Sequence, residues 1–292
     1  MQYGIHVNSG AAVTDPAVLR DMAQLAEELG CESILIGDHL LPPQKIQTPF
    51  PVKMDNPPWH VYQEHDWPDC FTTLAFLAAI TTRVRLGVSV IILPYRHPVA
   101  VTKMLTTLDR LSGGRIICGV GIGWLKDEFA FLGVPFEERA ALSEDCLKLM
   151  KTLWTDPHPR LTTAYGKIDA DVNFGPPPVQ RPHPPIWIGG NTMPALRRVA
   201  RWGDGWQPVF LSPETIRQKT ETLHTLMQEA GRDAAQLEIT TLVGSNVSVA
   251  QAQAYQAAGV QALYLLTTTD QPDELFVQMK QFVAIMRAVE NG

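Results

Sequence analysis

Short runs of consecutive apolar residues alternate with amphipathic segments along the whole chain, and this alternation limits the fold more than any other feature. Several of the apolar runs lack polar alternation, which is typical of parallel strands that are covered on both faces. The segments between them repeat apolar residues at spacings of three and four, as in Leu19, Met22 and Ala23, which is the periodicity of a helix. The runs that we predict to be strands are Tyr3–Asn8, Ser33–Asp38, Val84–Ile92, Arg115–Gly121, Ile186–Gly190, Trp206–Phe210, Leu237–Gly244 and Ala262–Thr267.

Eight strand–helix units predict an α/β fold of one domain, residues 1–292, arranged as a (β/α)8 TIM barrel. The alternative is an open doubly wound sheet, but no G-x-G-x-x-G motif follows the first strand, which argues against a Rossmann sheet. Two stretches interrupt the alternation: an insertion loop after strand two, Leu41–Asp69, and a shorter insertion before strand five within Thr155–Pro185, which could hold a hairpin. Long loops in a compact domain are usually lids or binding loops.

Several helix ends carry recognisable signals. Asp15 and Ser212 each precede a proline, the pattern of an N-cap followed by proline at the first helical position. Ser248 has Gln251 three residues later, which predicts a capping box. Gly30 follows the last apolar residue of its segment and is predicted to end that helix.

Composition and charge exclude several classes of partner. The net charge of −6 comes without a run of Lys or Arg, so nucleic acid and anionic membranes are not expected as partners. No apolar segment approaches the ~18 residues that span a bilayer. No cluster of His, Cys and carboxylates has the spacing of a metal site. The cysteines lie far apart and form no C-x-x-C pair, as expected for reduced thiols in a cytoplasmic protein: Cys31, Cys70, Cys118 and Cys146.

The second predicted strand ends in two ionisable residues, Asp38 and His39. One interpretation is a strand that surfaces into an ordinary polar loop. The other is an active site, because barrel enzymes place their chemistry at the carboxyl ends of the strands. The barrel prediction favours the second interpretation.

Two further strand ends are rich in glycine. Gly119, Gly121 and Gly123 end the fourth strand, either to admit a flat or anionic ligand to the backbone or to allow tight packing. The fifth strand ends in Gly189-Gly190-Asn191-Thr192 and leads into a helix over Met193–Trp202. Unpaired N–H groups at a helix start bind anions such as phosphate. An ordinary capped helix start would have the same sequence pattern.

Longer motifs make the chain resemble the bacterial luciferase-like superfamily, and within it the branch of coenzyme F420-dependent oxidoreductases. The motifs are GDHL, RLGVSVIILPYRHPVAVTKMLTTLDRLSGGRIICGVGIGW with LKDEF, LGVPFEER, GPPPVQRPHPPIWIGGN and RWGDGW. The resemblance extends from Tyr3 to about Phe210. It implies a TIM barrel with a flavin or deazaflavin ring across the mouth.

The resemblance also implies roles for individual residues. His39 matches the family's active-site histidine beside the ring, and Asp38 matches its acidic neighbour. Asp38 would orient the His39 ring or stabilise its cationic form, or alternatively cap the following segment. The Ser89–Val90 peptide matches a bulge that supports the ring and has a cis peptide bond in the deazaflavin branch. The residues expected to bind the cofactor are Ser89, Val90, Ile92, Gly121, Ile122, Gly123, Trp124, Gly189, Gly190, Asn191 and Thr192.

The function implied by the resemblance is hydride transfer between F420 and a small, apolar organic substrate. An FMN-dependent monooxygenase and a non-catalytic flavin-binding barrel are the alternatives. Trp124 stands where sugar-phosphate-oxidising relatives carry an acid, which argues against a sugar phosphate as substrate. We also expect a homodimer located in the cytoplasm.

Overall fold

The computed structural model describes residues 1–7, 14–50, 66–267, 269 and 271–291 of the chain. Asn8 and residues 51–65 of the Leu41–Asp69 loop lie outside the described residues. Trp67 is described, as is the loop up to Phe50.

Parallel strands form a closed barrel at the centre of the molecule. The strands are β1 Gln2–Val7, β2 Ser33–Ile36, β3 Arg85–Val88, β4 Ile91–Ile92, β5 Ile116–Gly121, β8 Ile186–Gly189, β9 Gly205–Gln207, β10 Glu238–Val243 and β11 Ala262–Thr267. Their hydrogen-bonded order is β3-β2-β1-β11-β10-β9-β8-β5-β4, and pairing of β3 with β5 closes the ring. The TIM-barrel prediction is therefore confirmed, and the open sheet is excluded.

Helices follow the strands and cover the outside of the barrel. Short 3-10 turns at Leu93–Tyr95, Phe136–Glu138 and Ala234–Gln236 connect some of them. The helices are α1 Pro16–Leu29, α2 Cys70–Ile80, α3 Pro98–Leu111, α4 Lys126–Phe131, α5 Arg139–Thr155, α6 Met193–Trp202, α7 Pro213–Glu229, α8 Val249–Ala257 and α9 Pro272–Asn291. Among the described residues, no helix is both long and apolar enough to cross a membrane.

The apolar strands separate two cores. A large cluster fills the layer between the barrel and the helices, with fully buried residues such as Ile34 and Leu74. A smaller cluster fills the inside of the barrel and includes Leu35, Trp187 and Tyr264. Successive residues of a strand point to opposite faces, so Ile34 and Leu35 enter different cores. This double burial explains why the strands are apolar without alternation.

The predicted helix ends are confirmed. The Asp15 side chain accepts hydrogen bonds from Ala17 N and Val18 N, and Gly30 ends α1 at φ 80. Ser212 caps α7, and Ser248 forms a capping box at α8 together with the side chain of Gln251.

One predicted strand is divided in two, several others are shorter than expected, and one insertion contains a hairpin. The third run divides into β3 and β4, and the Ser89–Val90 peptide bond between them is cis, as predicted. The sixth run pairs only over Gly205–Gln207, and Phe210 beyond it has φ 56. The expected hairpin in the second insertion is present as antiparallel strands β6 Leu161–Thr163 and β7 Gly166–Ile168.

Candidate active site at the carboxyl ends of the barrel strands

A cavity of about 440 Å³ lies at the carboxyl ends of the barrel strands. This volume lies within the range of ~300–1,000 Å³ that small-molecule sites occupy. All the residues proposed from the sequence line it, although they come from four different strand ends. They are Asp38, His39, Ser89, Val90, Ile92, Gly121, Ile122, Gly123, Trp124, Gly189, Gly190, Asn191 and Thr192.

His39 is paired with a buried acid that the sequence analysis did not single out. Its Nδ1 atom lies 2.8 Å from Oε2 of Glu128, a residue of α4 that is fully buried. The other oxygen of Glu128 accepts hydrogen bonds from the backbone N–H groups of Leu40 and Leu41. The hydroxyl of Tyr95 donates to Glu128 Oε2 at 2.8 Å. The carboxylate thus fixes both the loop after β2 and the ring of His39.

Two opposing effects set the protonation of Glu128. Burial alone would raise the pKa of its carboxyl. The hydrogen bond and charge of His39, together with the donors Leu41 N and Tyr95 Oη, outweigh burial and hold the pKa below the usual 4.5. Burial, followed by the nearby Glu128 charge, raises the pKa of Tyr95. Glu128 is therefore ionised at neutral pH, and Tyr95 is a neutral hydrogen-bond donor.

Asp38 forms hydrogen bonds with a different side chain from the one expected. Its two oxygens receive hydrogen bonds from the guanidinium of Arg96, at 2.7 and 2.8 Å, and one of them also accepts from Ile92 N at 3.0 Å. The expectation that Asp38 orients the His39 ring is wrong, because Glu128 makes that contact. Asp38 does not cap a helix either, since the N-cap of α2 is Asp69. Asp38 instead ties the tip of β2 to the segment that contains β4.

The glycines of the fourth strand make room for the Ser89–Val90 segment. A Cβ on Gly119 would lie 2.0 Å from the carbonyl oxygen of Val88, and one on Gly121 would lie 2.5 Å from a methyl carbon of Val90. A Cβ on Gly189 would approach the other methyl of Val90 to 3.0 Å. Of the two interpretations left open, tight packing therefore explains these glycines, and it places the Val90 side chain between β5 and β8.

The start of α6 has groups that could bind an anion. Thr192 is the N-cap and accepts from Ala195 N at 3.4 Å. Two arginines also line the cavity, Arg198 on α6 and Arg139 at the start of α5. Arg198 is held by Glu144, whereas the buried Nε of Arg139 has no hydrogen-bond partner among the described residues. Helix N–H groups combined with guanidinium groups favour phosphate.

Asn191 has a structural role in this segment. Its side chain donates to the carbonyl of Val209 at 2.8 Å and accepts from the N–H of the same residue at 3.2 Å. Its amide therefore fixes the loop after β9 while Asn191 lines the cavity. Gly190 has φ 117, and a Cβ there would lie 3.0 Å from that of Ala195, so a side chain at this position would strain the backbone.

Aromatic side chains form much of the cavity wall. The ring of Trp67 meets that of His39 edge to face, with centroids 4.8 Å apart. Phe50 lies beside Trp124 with centroids 5.3 Å apart and beside Phe210 at 6.4 Å. These rings give the cavity a largely apolar wall.

The sequence analysis did not single out several residues that line or support the cavity, among them the acid that contacts His39 and four polar residues of the lining. Glu128 lies in the LKDEF motif, next to the exposed-looking Asp127, and nothing local distinguishes the two acids. The others come from distant parts of the chain: His6, Arg139, Arg198 and Gln207.

The cysteines and a second cavity of the protein do not belong to this site. The four cysteines are buried free thiols, and burial raises the pKa of Cys31 to about 12. Within the described ranges, no group of three His, Cys, Asp or Glu residues could hold a metal. A cavity of about 1070 Å³ at the opposite end of the barrel contains the Glu32–Arg85 ion pair. The amino-terminal face of such barrels serves stability.

Comparison with known proteins agrees with this geometry. A family model described as luciferase-like monooxygenase matches residues 1–288. An uncharacterized protein of Mycobacterium tuberculosis is 32% identical over 238 residues, covering 80% of each chain. An F420-dependent glucose-6-phosphate dehydrogenase of Kineococcus radiotolerans is 30% identical over 250 residues, covering 82% of this chain and 67% of that one. The solved monooxygenase RslO1 from Streptomyces bottropensis has a TM-score of 0.78 at 20% identity, covering 99% of both chains.

Proposed function

The chain belongs to the luciferase-like monooxygenase family, and we propose that it transfers a hydride between coenzyme F420 and a small apolar substrate at the barrel mouth. The observation that carries the proposal is the His39–Glu128 pair at the edge of an aromatic cavity. A relative that is 30% identical is named an F420-dependent dehydrogenase, which supports the choice of cofactor.

The residues of the cavity fit a ring-bearing cofactor with a phosphate arm. Val90, packed between two glycines, presents an apolar surface on which a flat ring can rest. The start of α6 and the unpartnered Nε of Arg139 suit a phosphate group. We therefore propose that Thr192, Arg139 and Arg198 hold the arm and that Val90 supports the ring.

The chain itself contributes placement and proton transfer. A bound deazaflavin would supply the hydride chemistry. The ionised carboxylate of Glu128 accepts the hydrogen on His39 Nδ1, so the Nε2 atom of His39 is the position that exchanges a proton with the cavity. Trp67 and Trp124 limit the access of water and favour an apolar substrate.

We do not propose for this chain the substrate that is named for the dehydrogenase relative. Trp124 stands at the position where the resemblance implies an acid in sugar-phosphate oxidation, and its indole N–H can donate a hydrogen bond but cannot act as an acid or base at neutral pH. It packs against Phe50 and extends the aromatic wall. Aromatic rings of this kind offer few hydrogen-bond partners to the hydroxyl groups of a sugar phosphate.

An FMN-dependent monooxygenase is the second candidate, favoured by the structural similarity to the monooxygenase RslO1. Both candidates use the same cavity and the same histidine. Titration of the purified protein with F420 and with FMN, followed by fluorescence, separates them by affinity. Micromolar or tighter binding of F420 with much weaker binding of FMN supports the proposal, and the opposite preference supports the monooxygenase.

Turnover then distinguishes an enzyme from a flavin-binding barrel. Reduced F420 is mixed anaerobically with a panel of small ketones, enones and nitro compounds, and its reoxidation is followed by absorbance. Reoxidation that depends on one class of compound supports hydride transfer. Tight binding without turnover of any compound, with or without oxygen, would favour the non-catalytic alternative.

A further inference from the structure

We propose that His6 and Gln207 bind the uracil-like edge of the cofactor ring, accepting from its imide N–H and donating to the adjacent carbonyl. The inference rests on the proposed function, because it takes the ligand to be a flavin or deazaflavin. Both residues line the cavity, from strands β1 and β9, and neither has a role in the hydride-transfer proposal.

His6 presents a hydrogen-bond acceptor. Its Nε2 atom lies 3.0 Å from the carbonyl oxygen of Ser89, and a carbonyl only accepts, so Nε2 carries the hydrogen. Burial lowers the pKa of His6 to about 4, and the side chain is therefore neutral at pH 7. Its Nδ1 atom then has a lone pair, and it has no hydrogen-bond partner within the described part of the chain.

Gln207 presents a donor. The hydroxyl of Ser89 donates to Oε1 of Gln207 at 2.5 Å, which fixes the orientation of the amide. The Nε2 atom of Gln207 is buried and has no partner in the described ranges. The residue is only 1% exposed, and His6 is 2% exposed. Buried polar atoms without partners are rare in native proteins and point to a missing ligand or water.

The two groups are linked through one residue. Ser89 binds His6 through its backbone carbonyl and Gln207 through its hydroxyl, so the acceptor and the donor flank the segment that carries Val90. Val90 supplies an apolar surface to the same cavity. A flat ring resting on Val90 would thus bring one edge toward His6 and Gln207.

The hydrogen-bonding groups of His6 and Gln207 determine which edge of a ligand can bind between them. One neutral acceptor beside one neutral donor is complementary to an N–H group beside a carbonyl, as in a cyclic imide. An anion would meet the lone pair of His6, and an apolar group would leave both polar atoms unpartnered. Flavins and deazaflavins share a pyrimidinedione edge, so the inference holds for either cofactor.

A cofactor methylated at the imide nitrogen tests the inference without measuring activity. We expect wild-type protein to bind N3-methyl FMN, or N3-methyl F420 if F420 is the tighter ligand, about 10- to 100-fold more weakly than the parent cofactor by fluorescence titration. His6→Phe should bind the parent cofactor more weakly and lose most of the discrimination against the methylated form. Gln207→Leu should weaken both forms by a similar factor.

Thr240→Val is the matched control. The Thr240 hydroxyl is also buried and unpartnered among the described residues, but Thr240 does not line the cavity. This variant should bind both forms as wild type does, and circular dichroism establishes that each variant is folded. If the wild type binds the parent and the methylated cofactor equally tightly, the inference is wrong, and the proposed function is unaffected. Failure to bind FMN and F420 altogether would overturn the proposed function, and the inference with it.

Discussion

At the residue scale, the carboxylate of Glu128 organises the candidate site. It receives hydrogen bonds from the backbone of Leu40 and Leu41, from Tyr95 and from His39. A buried charge that accepts this many hydrogen bonds is stabilised, whereas an unpaired one would be costly. The same contacts hold the His39 ring in one orientation and in one tautomer.

Replacing His39 should affect turnover far more than cofactor binding. We expect His39→Ala to lower kcat by about 10²- to 10⁴-fold, the usual effect of losing a general acid–base group. The dissociation constant of the cofactor should stay within about threefold in fluorescence titration, because the proposed ring and phosphate contacts lie elsewhere. His97→Ala is the control, since His97 caps α3 and contacts the Tyr165 ring but does not line the cavity. Wild-type kcat in His39→Ala would rule out the proton-transfer role.

Glu128 is expected to act as a positioning residue through His39. Glu128→Gln keeps the shape of the side chain but offers only one acceptor oxygen, so the His39 ring loses its fixed orientation. We predict that kcat falls by about 10- to 100-fold while KM and the cofactor dissociation constant change little. Tyr95→Phe removes one hydrogen bond to the same carboxylate and should cost less than tenfold. An equal loss in both variants would count against the specific role of Glu128.

At the scale of secondary-structure elements, ion pairs and caps connect strand ends to the neighbouring segments. Asp38 and Arg96 form a buried, two-point ion pair between the tip of β2 and the turn after β4. The Asp38 side chain is 1% exposed and that of Arg96 is 11% exposed. The pair explains why an acid adjoins His39 in the chain without contacting its ring.

Breaking this pair should destabilise the fold. Asp38→Asn removes the buried one of the two carboxylates that pair with Arg96, the other being the more exposed Asp69, and we expect a loss of about 1.5–3 kcal/mol in the free energy of unfolding. Urea denaturation followed by circular dichroism measures the loss. Glu214→Gln, which breaks the exposed pair with Arg217, is the control and should have no measurable effect. A similarly small effect of Asp38→Asn would contradict the structural role.

The cap of α6 should matter for both stability and phosphate binding. Thr192→Ala removes an N-cap hydrogen bond and should cost about 1 kcal/mol of unfolding free energy, as should Asp15→Ala at α1. Only Thr192→Ala should weaken the binding of FMN relative to riboflavin, which lacks the phosphate. Identical FMN-to-riboflavin affinity ratios in the two variants would place the phosphate elsewhere.

At the scale of the whole molecule, closure of the barrel buries ionisable groups near its centre. His6 has a pKa of about 4 in the folded protein, compared with 6.5 when unfolded, because burial disfavours its charged form. Below pH 6.5 the unfolded chain therefore binds a proton that the folded chain does not. The contribution of neutral His6 to stability is complete above pH 6.5 and is lost as the pH falls toward 4.

This linkage predicts a pH-dependent difference between two proteins. The stability of wild type minus that of His6→Gln should fall by up to roughly 3 kcal/mol between pH 7 and pH 4, since each pKa unit corresponds to about 1.4 kcal/mol. Urea unfolding at several pH values measures both proteins in the same buffers. A difference that stays constant over this range would show that His6 titrates normally in the folded state.

Local sequence was sufficient for much of this protein. Unbroken apolar runs such as those around Ile34 specified strands covered on both faces, and Asp15, Ser248 and Gly30 specified helix ends, because each of these signals acts within a few residues. Strand-end placement then grouped His39 and the Gly189–Thr192 segment at one cavity. The cis Ser89–Val90 bond came from resemblance to a family and not from local physics.

Only the tertiary structure decided which charged groups meet. Asp38 is adjacent to His39 in the chain, yet His39 pairs with Glu128, 89 residues away, while Asp38 pairs with Arg96, 58 residues away. His6 and Gln207 likewise come together through Ser89 from opposite halves of the chain. Hydrophobic periodicity determines which face of an element is buried. The partners of buried polar groups depend on the register and closure of the barrel, and neither is a property of any local segment.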